Sequence, residues 1–219
     1  MKSKYIMALF LMLLAMSGSF AGPQPGMPTT NDPSAWEGLT PDAIAKVKKG
    51  EIVLVTTRSQ LQDNLGKALI KAAMVFNTEI NETLRILTEY EKLCDYLESC
   101  DQSILVKKTD NSSLVDFTVK VLGWEFKYRV IHYWDTKKYY SWWKLDPNYK
   151  SDIKVLEGSW QLYYMDDNHT LARYSNTLIV KEFIPASVQE ALARRDVPKS
   201  LEATRQRVHS HGTYKKKGK

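Results

Sequence analysis

From Ser103 to Lys181 apolar and polar side chains alternate with a period of two, interrupted only by short polar turns. A period of two puts successive side chains on opposite faces of an extended chain, so this stretch reads as β-structure rather than helix. Segments Ser103–Lys108, Leu114–Leu122, Glu125–Trp134, Lys138–Lys144, Ile153–Met165 and Thr170–Lys181 form the expected strands. Asp110-Asn111, Gly123, Asp135-Thr136, Asp146-Pro147-Asn148 and Asp166-Asp167-Asn168 separate them, all turn formers. Connections this short join neighbours antiparallel, so the sequence predicts a six-stranded meander.

Before the meander, Glu51–Thr57 and Gly66–Phe76 are candidate strands. The second is ambiguous, because Ala68, Leu69, Ala72, Ala73 and Phe76 also mark a helical face. Thr40-Pro41-Asp42 opens a short helix through Val47 that Gly50 stops. Asn77-Thr78 is expected to cap a longer helix, with Ile80, Leu84, Leu87, Tyr90 or Glu91, Leu93, Cys94 and Leu97 at helical spacing up to Cys100. After the last strand Pro185 introduces a helix from Ala186 to about His209 that Pro198 should kink or split. One long sheet with one long helix must bury a single face against that helix, an α+β arrangement.

The alternation also assigns faces. Val115, Phe117, Val119 and Val121 oppose Asp116, Thr118 and Lys120, and Phe126, Tyr128, Val130, His132 and Trp134 oppose Glu125, Lys127 and Arg129. Trp160, Leu162 and Tyr164 share the inner face with Tyr174, Asn176, Leu178 and Val180. Nine of the twenty residues from Trp124 to Trp143 are aromatic, more ring surface than one helix covers on a curved sheet. Part of it is expected to line a pocket whose candidate ligand-binding residues are Phe117, Phe126, Tyr128, His132, Trp142, Trp160, Tyr174 and Asn176. The competing reading is that the rings are plain core and cross-strand pairs.

The ends carry different information. Lys2 and Lys4 precede eleven apolar residues, Ile6 to Met16, and small residues ending at Ala21, the layout of a secretory signal cleaved after Ala21. The apolar run is shorter than the ~20 residues of a membrane-spanning helix, although a retained anchor remains the alternative. Residues 22–41 hold five prolines and read as a poorly ordered leader, 42–209 as one domain, and 210–219 as a basic tail. The expected location is therefore periplasmic or secreted. There Cys94 and Cys100 either form a disulfide, which requires the helix to end near Ser99, or remain buried free thiols.

Charge narrows the partners. The formal net charge is +6, but the two signal lysines and the four at Lys215, Lys216, Lys217 and Lys219 account for the excess. The body is neutral, so the basic face that tracks phosphates is missing and no nucleic-acid partner is expected. The tail is positioned for transient contact with an anionic membrane surface, or simply for solubility.

Catalytic patterns are scarce. His169 lies in a turn, His209 and His211 lie near the end, and no His pair has metal-ligand spacing, so no metal and no cofactor are expected. Gly158-Ser159-Trp160 lacks the nucleophile-elbow pattern and Gly66-Lys67-Ala68 lacks that of a phosphate loop. His132 is the one internal candidate for acid–base work, with Tyr128 or Tyr174 as proton donor.

Ile86-Leu87-Thr88-Glu89-Tyr90-Glu91 resembles the VLTDYE helix of the START-like (SRPBCC, helix-grip) superfamily, in its polyketide cyclase and coenzyme Q-binding branch, and Leu97 follows in a similar stretch. Leu156-Glu157-Gly158-Ser159-Trp160-Gln161-Leu162 resembles the family's EGSW strand, and Phe183-Ile184-Pro185 to Val208 its proline-started terminal helix. The likeness runs from about Gly50 to His209. It implies a helix-grip fold, a curved antiparallel sheet wrapped around a long C-terminal helix. It also implies a deep cavity between them for a lipid, sterol, quinone or polyketide. Most members bind or transfer such molecules and a minority are cyclases, and no universal catalytic motif carries over. The expected function is an exported carrier of a hydrophobic small molecule. A cyclase or dehydratase using the same cavity, or a ligand-free interaction protein with Trp142 and Trp143 as partner contacts, are the alternatives.

Overall fold

The computed structural model describes residues 22–55, 67–180, 185, 187 and 196–218. The expected signal segment, and most of the expected C-terminal helix before Asp196, lie outside the described residues. Eight strands form one sheet: β1 (Val53–Leu54), β2 (Lys67–Phe76), β3 (Cys100–Lys108), β4 (Ser112–Val121), β5 (Trp124–Asp135), β6 (Tyr140–Leu145), β7 (Ile153–Asp166) and β8 (His169–Val180). Their order is β1-β2-β8-β7-β6-β5-β4-β3, antiparallel throughout, so the predicted meander is contiguous and the two early strands add to its β8 edge. Together with the four α-helices among the described residues, this is the helix-grip α+β fold.

The ambiguous segment is strand β2. Its Ile70, Ala72, Met74 and Phe76 face the inner side while Ala73 and Val75 are buried on the other, so apolar residues on both faces hid the alternation. The β4–β5 hairpin turns on Leu122 and Gly123, both at positive φ (49° and 82°), between the paired Val121 and Trp124. Two successive left-handed residues match the twist of the flanking strands, and glycine takes that geometry without a Cβ penalty.

The leader departs from expectation. Residues 22–41 are not loose: Thr29 bridges Tyr164, a short 3-10 turn spans Pro33–Ala35, and Ala35 is fully buried against Ala73, Val75, Tyr163 and Leu171. Arg173 reaches out of β8 to donate to the Ala35 and Glu37 carbonyls, both at 2.7 Å. Helix α1 (Pro41–Lys48), capped by Thr40, continues this cover over the outer face with Val47. The prolines suited a chain that is extended yet docked, because the sheet supplies the apolar partner that composition alone does not reveal.

The next helix is also shorter than its periodicity predicts. Helix α2 (Ile80–Leu87) is capped by Glu79, not by Asn77 or Thr78, with the Glu79 carboxylate accepting from the amides of Asn81 and Glu82. It stops at Thr88, whose hydroxyl donates back to the carbonyls of Leu84 and Arg85. A 3-10 turn (Tyr90–Lys92) and the one-turn helix α3 (Leu93–Tyr96) follow, and the chain enters β3 at Cys100.

Cys94 and Cys100 form a disulfide across this corner, their Cα atoms 4.7 Å apart. Closing so short a loop stabilises the native state by about 2 kcal/mol in the chain-entropy description. The double replacement Cys94→Ser with Cys100→Ser is expected to lower unfolding stability by about that amount in urea titration. An unchanged midpoint and slope would show that the bridge carries no stability.

Helix α4 (Val197–His209) carries Pro198 at its N-terminal end, near Asp196, whose backbone is also helical. It lays Leu201, Thr204 and Val208 on one buried stripe. Arg207, 4% exposed, pairs with Glu89 at 3.8 Å, lies over the Tyr96 ring and donates to the Tyr214 carbonyl. The tail is likewise not free along its length: Lys216 donates to the carbonyls of Leu97 and Cys100.

Candidate functional site

Between the inner face of the sheet and the helices lies a cavity of about 230 Å³. Its sheet wall is made by alternate residues of five strands: Phe117 and Val119 from β4, Tyr128, Val130 and His132 from β5, Trp143 from β6, Leu156 and Trp160 from β7, and Tyr174, Asn176 and Leu178 from β8. The opposite wall comes from Leu87, Tyr90, Leu93, Tyr96 and Leu97 and from Val197, Ser200, Leu201 and Thr204 of α4. The break in α2 at Thr88 is what lets Tyr90 turn inward.

Six of the eight residues singled out from the sequence line this space: Phe117, Tyr128, His132, Trp160, Tyr174 and Asn176. Phe126 is 2% exposed, but it belongs to a cluster with Val121 and Ile153, packed against the cavity-lining Tyr128, Leu156 and Leu178, and does not itself line the cavity. Trp142 lies on the outer face, stacked between Tyr133 and Tyr140 with ring centroids 5.2 and 5.4 Å away. Its neighbour Trp143 takes the inward position, since the β6 register sets Trp143 opposite His132 and Gly158.

Gly158 explains how. A Cβ there would collide with the Ser175 carbonyl oxygen and the Trp143 indole. Without one, the indole lies against β7 and its Nε1 donates to Asn176 Oδ1 at 3.1 Å. The sequence signal was present in the glycine of the EGSW stretch, but nothing in it said which tryptophan the glycine accommodates. On the helical wall the spacing offered Tyr90 or Glu91 without choosing between them, and Tyr96 and Thr204 had no such signal, because they reach the cavity only through tertiary packing.

His132 is 3% exposed, stacked face to face on Tyr90 at 3.7 Å and edge-on to Phe117 at 5.9 Å. Burial drives its pKa down from the usual 6.5 to about 3, against a weaker opposing interaction with the Ser113 backbone. The ring is therefore neutral at physiological pH. Burial likewise pushes the hydroxyls of Tyr90, Tyr128 and Tyr174 well above the ordinary tyrosine range. Because the unfolded chain binds the His132 proton more readily than the folded one, stability is complete above the unfolded pKa and falls as pH drops from 6.5 toward 3. By about pH 5 the loss should reach about 2 kcal/mol in wild type and be absent in His132→Phe. Urea titrations of both proteins across this window check it; parallel pH profiles would mean that His132 protonates freely in the fold.

Among the described residues no group of three or more His, Cys, Asp and Glu side chains gathers as a metal site, and no helix is long and apolar enough to cross a membrane.

No protein-family profile matches the chain, and no curated protein matches its sequence. Solved structures do match in shape. The ZhuI aromatase/cyclase from Streptomyces sp. R1128 superposes with a TM-score of 0.57 at 11% identity, over 65% of this chain and 93% of that one. A STAR-related lipid transfer protein from Xanthomonas axonopodis gives 0.56 at 12% identity, over 72% and 92%. A START superfamily protein from Mycobacterium smegmatis gives 0.55 at 12% identity, over 65% and 98%. At these identities the likeness is one of fold alone, the helix-grip arrangement that the chain shares with these structures.

Proposed function

We propose that the protein is an exported carrier that binds one hydrophobic small molecule in the cavity between the sheet and the C-terminal helix. The observation that carries this reading is the character of the wall. Among the described lining residues Asp196 is the one Asp, Glu, Lys or Arg, and beside it and the neutral His132 aromatic and aliphatic side chains make up most of the wall. A ligand burying about 200 Å² of apolar surface there gains about 5 kcal/mol at ~25 cal/mol per Å². The volume is below the roughly 300–1,000 Å³ of drug-sized pockets, so the cargo is compact.

Two further facts support the reading. The matched structures with this fold include one described as a lipid transfer protein and one as an aromatase/cyclase. The Cys94–Cys100 disulfide suits an oxidising compartment, in line with the signal-like N-terminus. A cyclase or dehydratase reading gains less from the site. An imidazole with its pKa lowered to about 3 is a poor general base at neutral pH, and among the described residues no side chain orients its Nδ1.

Native mass spectrometry of protein purified without detergent tests the proposal. A single small apolar adduct, released into organic solvent, is the expected result. Protein with no adduct that also fails to take up an added apolar probe would sink it.

A further inference from the structure

The sheet ends, at the edge opposite β1, on a strand that pairs on one side only. Strand β3 is last in the strand order, with β4 as its neighbour. It carries Ile104, Leu105 and Val106 in succession, 48%, 41% and 44% exposed. An edge strand with bare aliphatic side chains is a template for another strand, and chains commonly block it with a charge or a proline. Neither occurs from Gln102 to Val106. Irregularities between Cys100 and Gln102 and between Leu105 and Lys107 bound the regular stretch, Gln102 to Leu105.

The ladder fixes which backbone groups face outward. The Lys120 amide donates to the Ser99 carbonyl and the Thr109 amide to the Ser112 carbonyl, so Lys120 and Ser112 turn their backbone groups toward β3. Such residues alternate in an antiparallel ladder, so Leu114, Asp116 and Thr118 do the same. Asp116 and Thr118 stand opposite Ile104 and Gln102. The amides and carbonyls of Ser103 and Leu105 therefore point away from β4, where an added strand would meet them.

Charge selects the occupant. Asp101 lies three residues before Ile104 and Lys107 three residues after it. Both belong to the outer face, since Asp101 meets Lys120 at 3.0 Å and Lys107 stands opposite Leu114. A second β3 laid antiparallel with Ile104 on the two-fold axis sets Ser103 of each copy opposite Leu105 of the other, so their outward backbone groups bond across the seam. The same register brings Asp101 of each copy beside Lys107 of the other and Ile104 beside its own counterpart. Moving the axis to Ser103 or Leu105 removes both ion pairs. A strand from an unrelated protein would not require opposite charges spaced evenly about Ile104.

We propose that β3 is a self-pairing edge, at which two copies of this chain join their sheets antiparallel about Ile104. The inference is independent of the carrier reading. The contact closes on itself, because each copy uses the same patch. It is also small, so the dimer is weak and reversible, with a dissociation constant of about 0.1 mM.

Sedimentation equilibrium of the purified protein at low salt, from about 10 µM to about 1 mM, spans that constant and tests the proposal. Wild type is expected to pass reversibly from monomer to dimer and to stop there. Asp101→Lys sets lysine against lysine at both ends of the seam, and Lys107→Asp sets aspartate against aspartate, so each alone should raise the dissociation constant about tenfold. An equimolar mixture of these two variants restores opposite charges at both ends and should pair about as tightly as wild type. Leu105→Pro deletes an amide that β4 does not use and should abolish pairing across the whole range; if that variant fails to fold, the charge variants decide. A wild type that stays monomeric overturns the proposal and leaves the edge to a strand of a different protein. Oligomers growing past the dimer exclude a closed pair and overturn it too. So does a dimer untouched by the charge variants, or a mixture that pairs no better than its components.

Discussion

Replacing Gly158 with alanine is expected to destabilise the protein by about 3 kcal/mol or more, a large effect for one methyl group. The added Cβ would meet the Ser175 carbonyl oxygen, which belongs to the backbone of the adjoining strand, and the Trp143 indole at once. The first obstacle cannot swing away, because β7 and β8 share the longest ladder in the sheet, from Ile153↔Val180 to Asp166↔His169. The second can move only by giving up the Trp143–Asn176 hydrogen bond and pushing the indole into the cavity. Both responses damage the site, so the variant should lose stability and probe binding together. Urea unfolding with tryptophan fluorescence reads the first. A Gly158→Ala protein within about 0.5 kcal/mol of wild type, the range of an ordinary surface change, would mean that the Trp143 position is not fixed by this glycine.

The second large effect is on binding alone. Leu156→Trp should reduce naphthalene affinity by about a hundredfold, at a stability cost of about 1–3 kcal/mol from overpacking. Leu156 is half-buried and packs against two core clusters, one containing Val130 and Phe117 and the other Phe126 and Ile153. Its side chain lines the cavity, so an indole there occupies space that a ligand needs while the rest of the wall is unchanged. The control is Trp142→Leu on the outer face, which should bind naphthalene as wild type does. If Leu156→Trp binds normally and Trp142→Leu does not, the apolar site lies on the convex face with Tyr133 and Tyr140, and the cavity is a packing defect.

These variants also show what was readable in the sequence. Strands β4, β5, β7 and β8 alternate clearly, so the inward positions of Phe117, Tyr128, His132, Trp160, Tyr174 and Asn176 followed from the period of two. In β6 the signal failed. Tyr139-Tyr140 and Trp142-Trp143 offer an aromatic to either face, and only the register against Gly158 decides between them. Phe126 was assigned to the correct face, but distance along a strand does not say where a core is solid and where it opens. The proline-rich leader looked unstructured because its order comes from contacts with β2, β7 and β8, which local composition does not encode. The Thr88 break was legible only in part: threonine disfavours a helix interior, yet apolar spacing continues through it, and tertiary contacts of Tyr90 settle the outcome.

The placement of a bound apolar molecule is the most direct test. Nuclear Overhauser contacts between protons of naphthalene and the methyl groups of the protein locate it without relying on any variant. The account predicts contacts with Val119, Val130, Leu156 and Leu178, on the inner wall of the sheet, and with Leu201 on α4. Absence of uptake, or contacts confined to residues around Trp142 on the outer face, would contradict it.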